Sequence, residues 1–307
     1  MNDDLDSRLG RRRFLAATAA FAALGANRGA TATSTTAAGT PPAGAKTAGI
    51  TTAGNTATAA GGPPRPLPES ATKTICVLGA SGAVGNAITR ELLTAGHRVI
   101  AVSRSADKLG SIRAAYGTTK RIETQEGDVS SDSLAAVLRD AIVTRFGMPD
   151  GVVASLGARE VDLPMRILST PTETLRKAFE ANFFTHVAAA RALVPALAPR
   201  GVYVGINGGM ADLVVPNRGQ LSMTQSALRT LYSVLAMEAR DSQAKNPDVR
   251  VHVLGLYGLI IPYAKYDTHP DDRWISDRQV GERVNQIVTQ PQAFPDPAVA
   301  LKAKAYS

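Results

Sequence analysis

The segment "KTICVLGASGAVG", Lys73 to Gly85, restricts this chain more than any other stretch. An apolar run passes directly into glycines at positions 79, 82 and 85, and the helix-forming stretch "NAITRELLTAG" follows. A strand that turns through glycine into a helix is the first half of a parallel β-α-β unit, because parallel strands need a crossover. The same alternation continues downstream. "HRVIAVS", "KRIETQEGDV", "DGVVASLG", "GVYVGIN" and "VRVHVLGL" read as strands, and the spacing predicts helices over 82–96, 105–116, 131–147, 171–198 and 221–240. Strands built from runs of Val, Ile and Leu belong to a sheet covered on both faces. The expected fold is therefore α/β, one domain with a doubly wound, mostly parallel sheet.

The glycine turn also carries chemistry. Glycine at a strand-to-helix junction lets a pyrophosphate approach the backbone amides at the helix amino terminus, where the partial positive charge favours it. A second strand ending "AVSRS" lies about 20 residues on, the spacing of a dinucleotide site. An acidic residue there would accept bonds from the ribose hydroxyls of NAD. This chain has Ser103 and Arg104, a hydroxyl and a guanidinium suited to a 2′-phosphate, so NADP is expected ahead of NAD. The plainer alternative is that Arg104 ends a strand in solvent.

Two segments precede this domain. Residues 1–32 hold an arginine cluster, an apolar run from Phe14 to about Ala26 and small residues suited to a signal peptidase, the layout of an export signal. "GRRRFLAA" resembles the twin-arginine pattern, with Arg11 and Arg12 as the pair and Gly10 where Ser or Thr is usual, so an exported, periplasmic or extracellular protein is expected. The apolar run is shorter than the roughly 20 residues a stable anchor needs. Residues 33–70 form an Ala/Thr/Gly/Pro linker; between 31 and 64 the only charged residue is Lys46, too little to build a core. Residues 71–307 are the domain. Loss of 1–32 removes five arginines and three aspartates and lowers the net charge from +8 to +6. With aromatics only 5% of the chain and no basic run between them, nucleic acid is not an expected partner. The single cysteine, Cys76, lies in an apolar run and excludes disulfides and cysteine metal clusters; the four histidines (97, 186, 252, 269) show no ligand spacing, and no metal site is expected.

From residue 73 to about 290 the order of these features resembles the short-chain dehydrogenase/reductase family, whose domain is a Rossmann fold. "GASGAVG" is similar to its glycine motif, which the resemblance extends to Gly79, Ser81, Gly82, Val84 and Gly85. "GDVSS" is similar to the acidic segment after the third strand, implying that Asp128 and Val129 lie near adenine. "VASLGA" stands where the family has Asn-Asn-Ala-Gly. Only Gly157 is kept there, and Ala154 and Ser155 take cofactor-contacting positions. "FEANFFTHVAAARALVPAL" is similar to the helix whose asparagine, here Asn182, organises the active site.

What the resemblance requires next is missing. Members of the family carry a serine after the strand "GVYVGIN" and, about 13 residues later, Tyr-x-x-x-Lys, whose spacing puts both side chains on one helix face. In this chain Gly208 occupies the serine position, Leu221 the tyrosine position and Gln225 the lysine position. The one Tyr-x-x-x-Lys present, Tyr116 to Lys120, precedes the third strand and reads as a chance match. Three readings stay open. The chain is a reductase or dehydrogenase with another proton donor, Thr224, Tyr257 or Tyr263; or it binds NADP without catalysis; or it runs a different reaction, for which no Gly-x-Ser-x-Gly elbow speaks. The segment from Leu259 to Trp274 should line the substrate pocket. The substrate is a small molecule that the sequence does not name. No final strand, which helps build subunit contacts in the family, is recognisable in "PQAFPDPAVALKAKAYS"; the resemblance implies a homo-oligomer.

Overall fold

A computed structural model describes residues 72–158, 164–241, 248–269 and 271–307. The expected export signal (1–32) and linker (33–70) lie outside the described residues. Nine strands and eight α-helices are described: β1 Thr74–Leu78, α1 Ala83–Thr94, β2 Arg98–Ser103, α2 Ala106–Tyr116, β3 Ile122–Glu126, α3 Asp132–Phe146, β4 Gly151–Ala154, α4 Thr172–Phe179, α5 Thr185–Leu193, β5 Val202–Gly208, α6 Gly219–Glu238, β6 Arg250–Tyr257, β7 Leu259–Ile261, α7 Tyr263–Thr268, β8 Trp274–Ser276, α8 Asp277–Thr289 and β9 Ala298–Lys302.

Seven strands pair, all in parallel, in the order β3-β2-β1-β4-β5-β6-β9. The central strand β1 meets β2 from Thr74↔Arg98 to Leu78↔Val102 and β4 from Ile75↔Gly151 to Leu78↔Ala154. The chain winds one way from β1 to β3 and the other way from β4 onward, so the connections leaving β1 and β4 diverge and open a crevice at their carboxyl ends. Alternate residues feed two cores. Cys76, Leu78 and Val102 pack with Leu138, Leu193 and Leu228, whereas Ile75, Val77 and Val99 pack with Ile88, Leu92 and Ile287. Full burial pushes the Cys76 thiol up to about 12, so it behaves as a small core residue.

Two expectations are corrected. The final strand exists: "AVALK" pairs with β6 from Val253↔Ala298 to Tyr257↔Lys302, with Val299 turned into the core. The helix expected over 171–198 is not continuous. A π-helical turn, Glu180–Phe184, separates α4 from α5, inserting a residue where the side chain of Asn182 turns inward. Among the described residues no helix is long and apolar enough to cross a membrane, and no group of His, Cys, Asp and Glu could hold a metal.

Tyr232 of α6 shows how tightly the second half is packed. It is fully buried, with Nδ1 of His186 2.6 Å from its hydroxyl and the Tyr203 ring 6.1 Å away between centroids. Burial holds His186 down to about 4, so it is neutral near pH 7. The Tyr232 ring crosses Gly205 of β5 so closely that a Cβ there would overlap the ring and lie 2.6 Å from the hydroxyl. Because the ring has no route to solvent, Gly205→Ala should cost about 3 kcal/mol, the upper end of ordinary overpacking. Urea unfolding measures it; a loss below about 1 kcal/mol would mean the ring has room to move.

Candidate active site

The site grows from the glycine turn. Gly79 leaves β1 at φ +74°, and a Cβ on it would overlap the Ser155 carbonyl oxygen on the loop after β4. A Cβ on Gly85 would overlap the Gly79 carbonyl oxygen. These two glycines let the end of β1, the first turn of α1 and the β4 loop close on one another. Hydrogen bonds then fix the turn: Gly82 N to Gly79 O at 3.0 Å, Ala80 N to Val102 O at 3.1 Å and Ser155 N to Leu78 O at 3.1 Å. Ser81 and Ser103 share a hydroxyl hydrogen bond of 2.9 Å, tying the turn to the end of β2.

Helix α1 begins on Gly82 with no side-chain cap and no acidic residue in its first turn. Ser105, Ser131 and Ser276 cap α2, α3 and α8, whereas α4, α5, α6 and α7 start, like α1, without a side-chain cap. The first amides of α1 thus have no side-chain acceptor, as an incoming phosphate requires. Arg104, just beyond β2, is exposed and forms no ion pair among the described residues. Ser103 is buried, its hydroxyl spent on Ser81 and on the Ser105 amide at 3.3 Å. Asp128 accepts from the Ser130 amide at 2.9 Å, while Val129 and Ala154 are buried in the core.

Beside this turn lies a cleft of about 260 Å³ at the carboxyl ends of the strands. Val84, Ser155 and Gly157 line the side nearest the turn. Asn182, delivered by the π turn, accepts from the Ala158 amide at 2.9 Å through Oδ1. Across from it, β5 supplies Asn207 and Gly208, and α6 supplies Leu221, Thr224, Gln225 and Leu228. Those four lie at i, i+3, i+4 and i+7, one stripe of the helix. The expected positions of serine, tyrosine, lysine and asparagine therefore converge on one cleft, carrying Gly208, Leu221, Gln225 and Asn182. Tyr116 is not part of it; its hydroxyl donates to Asn86 at 3.0 Å.

None of the alternative donors is well placed. Thr224 lines the cleft but is fully buried, and its hydroxyl donates back to the carbonyls of Gln220 (2.9 Å) and Leu221 (3.2 Å). Tyr257 does not line the cleft. Its hydroxyl donates to Asp212, which also pairs with Arg229, and burial together with that carboxylate pushes its pKa up, away from proton exchange near neutrality. Tyr263 is 40% exposed, outside the cleft lining, with the Arg278 guanidinium 5.0 Å from its ring. Of the segment from Leu259 to Trp274, Ile260 alone among the described residues lines the cleft. Asn207 is the site residue that sequence reading missed. Its Nδ2 donates to the Gln225 carbonyl at 3.0 Å, and the only signal for it was an amide ending an otherwise apolar strand.

A family model described as enoyl-(acyl carrier protein) reductase matches residues 79–252. An NADPH-dependent pterin aldehyde reductase of Arabidopsis thaliana is 27% identical over 152 residues, 48% of this chain and 62% of that protein. Dehydrogenase/reductase SDR family member 7B of Danio rerio is 27% identical over 183 residues, 57% of this chain and 58% of that one. The chain thus spans about three fifths of the length of these two relatives. Among solved structures, a short-chain dehydrogenase/reductase from Brucella melitensis aligns with TM-score 0.65 at 19% identity, covering 76% of this chain and 97% of that one. The NADPH-bound short chain oxidoreductase from Pseudomonas aeruginosa PAO1, described as containing an atypical catalytic center, aligns with TM-score 0.64 at 18% identity, covering 75% and 95%. At these identities the structures share the fold.

Proposed function

This chain belongs to the short-chain dehydrogenase/reductase family, and on that premise we propose that it is an NADP(H)-binding oxidoreductase acting on a carbonyl or alcohol, without the family's tyrosine-lysine proton transfer. The observation that carries the reading is the close-packed turn of Gly79 and Gly85 that opens α1, uncapped and free of acidic residues, beside the cleft that holds Asn182. Those amides would hold the pyrophosphate, Arg104 the 2′-phosphate, and the loop from Ser155 to Gly157 the inner side of the cofactor. When bound, the nicotinamide supplies the hydride. The chain's own residues orient the acceptor and screen it from water: Leu156, Ile206, Leu221 and Leu256 make an apolar wall, and Asn182 stiffens the Gly157 loop through the Ala158 amide.

Gly208, Leu221 and Gln225 favour one competing reading, an NADP-binding protein with no catalysis. Calorimetry with NADPH, followed by NADPH consumption over a carbonyl panel, separates the two. Saturable binding with turnover supports the oxidoreductase, binding without turnover on any member supports the competitor, and absence of binding sinks both.

A further inference from the structure

The Gln225 side chain serves no hydrogen bond that would hold the fold. Its side chain bonds to nothing among the described residues, and Oε1 is enclosed without a partner. The amide rests on the bare Cα of Gly208, where a Cβ would lie 2.7 Å from Oε1 and 2.8 Å from Nε2. Any residue but glycine at 208 would contest that space. The backbone beneath is held by Asn207, whose Nδ2 bonds the Gln225 carbonyl. An amide oxygen left enclosed and unpaired is a standing cost to stability, and an apolar side chain of the same length would avoid it. Oε1 is enclosed and Nε2 is not, which leaves the NH₂ group as the end of the amide open to the cleft that Gln225 lines. Among the described lining residues none is ionisable, and the walls are mostly aliphatic: Leu156, Ile206, Leu221, Leu228, Leu256 and Ile260.

We propose that Gln225 Nε2 receives the substrate's carbonyl oxygen as negative charge builds on it, and that the substrate is an apolar conjugated enone. This rests on the oxidoreductase reading above. An amide donor can stabilise an oxyanion but cannot surrender a proton. Hydride addition to a saturated ketone leaves an alkoxide about as basic as hydroxide, water itself having a pKa of about 15.7, and so demands an acid that this cleft lacks. A conjugated acceptor spreads the charge, as a phenolate with a conjugate acid near about 10 does. The hydride from the reduced nicotinamide forms the C–H bond at the β-carbon and the C=C pair moves to give the enolate. Water supplies the proton, leaving the saturated ketone, hydroxide and the oxidised nicotinamide.

The test uses 4-nitrophenol, whose anion resembles the enolate and is read by its colour, with the parent, Gln225→Met and Gln225→Glu, each with and without NADP⁺. The parent should bind the phenolate in preference to the phenol, moving the bound ligand's ionisation to lower pH. Gln225→Met, equal in length but without a donor, should weaken phenolate binding by about ten- to hundredfold, the worth of a hydrogen bond to a charge, while its melting temperature holds or rises. Gln225→Glu should reverse the preference. With NADPH, the parent should reduce 2-cyclohexenone faster than cyclohexanone, and Gln225→Met should lose that advantage. A parent that favours cyclohexanone, a Met variant that binds phenolate as tightly as the parent, or one that melts well below it overturns the inference. If NADPH binds all three proteins alike and these results still fail, only this inference falls; if NADPH does not bind the parent, the oxidoreductase reading falls and takes the inference with it.

Discussion

Arg104→Ala is expected to shrink the preference for NADPH over NADH by about ten- to hundredfold, since a charge-assisted bond to phosphate contributes on the order of 1.5–3 kcal/mol. The guanidinium needs no release from an existing partner, because Arg104 is exposed and forms no ion pair among the described residues. Its neighbour Ser103 is held by Ser81, so the turn that presents Arg104 stays the same in the variant. Nearly all of the change should fall on NADPH, with NADH affinity unaltered, and titration of cofactor fluorescence reads both. Equal affinity of the unmutated protein for the two cofactors would remove the assignment of NADP, and an Arg104→Ala variant that still prefers NADPH would move the phosphate contact elsewhere.

What the sequence made legible was local. The strand before "GASGAVG" and the helix after it are each specified by neighbours in the chain, and the glycines at 79 and 85 sit where two backbones meet. The common face of Leu221, Thr224 and Gln225 was readable because helical periodicity alone puts those residues on one side. What was not legible depended on distant partners. Strand β9 is five residues long, exists only by pairing with β6 some 45 positions earlier (Val253↔Ala298), and lies among prolines at 291, 295 and 297 that read as loop. The π turn leaves no mark on the apolar pattern of 172–193. Gln225 looked like a lost lysine in sequence; only the space above Gly208 shows that its amide occupies the volume a serine side chain would claim.

That shared volume shapes the last expectation. Gly208→Ser, Leu221→Tyr and Gln225→Lys together should restore a carbonyl-polarising hydroxyl, an acid and the charge that lowers its pKa, opposite the Asn182 already present. Reduction of simple saturated carbonyls should then rise by about 10² to 10⁴-fold, the usual worth of general acid catalysis. The single changes should do far less, because such groups act as a unit. Gly208→Ser alone should be the poorest of them, since its new Cβ meets the Gln225 amide at 2.7 Å unless that side chain swings away; paired with Gln225→Lys, the conflict is relieved as the longer side chain leaves the Gly208 surface. Single-turnover rates with NADPH and cyclohexanone measure the series. A parent that already turns over cyclohexanone at about 1 to 10³ per second, the range of ordinary enzymes, and is slowed by the triple change would show that the cleft around Leu221 holds a proton donor of its own. Of the candidate donors only Thr224 lines that cleft, so Thr224→Val would test it first, with Tyr257 and Tyr263 replaced next as donors that could reach the cleft only by moving.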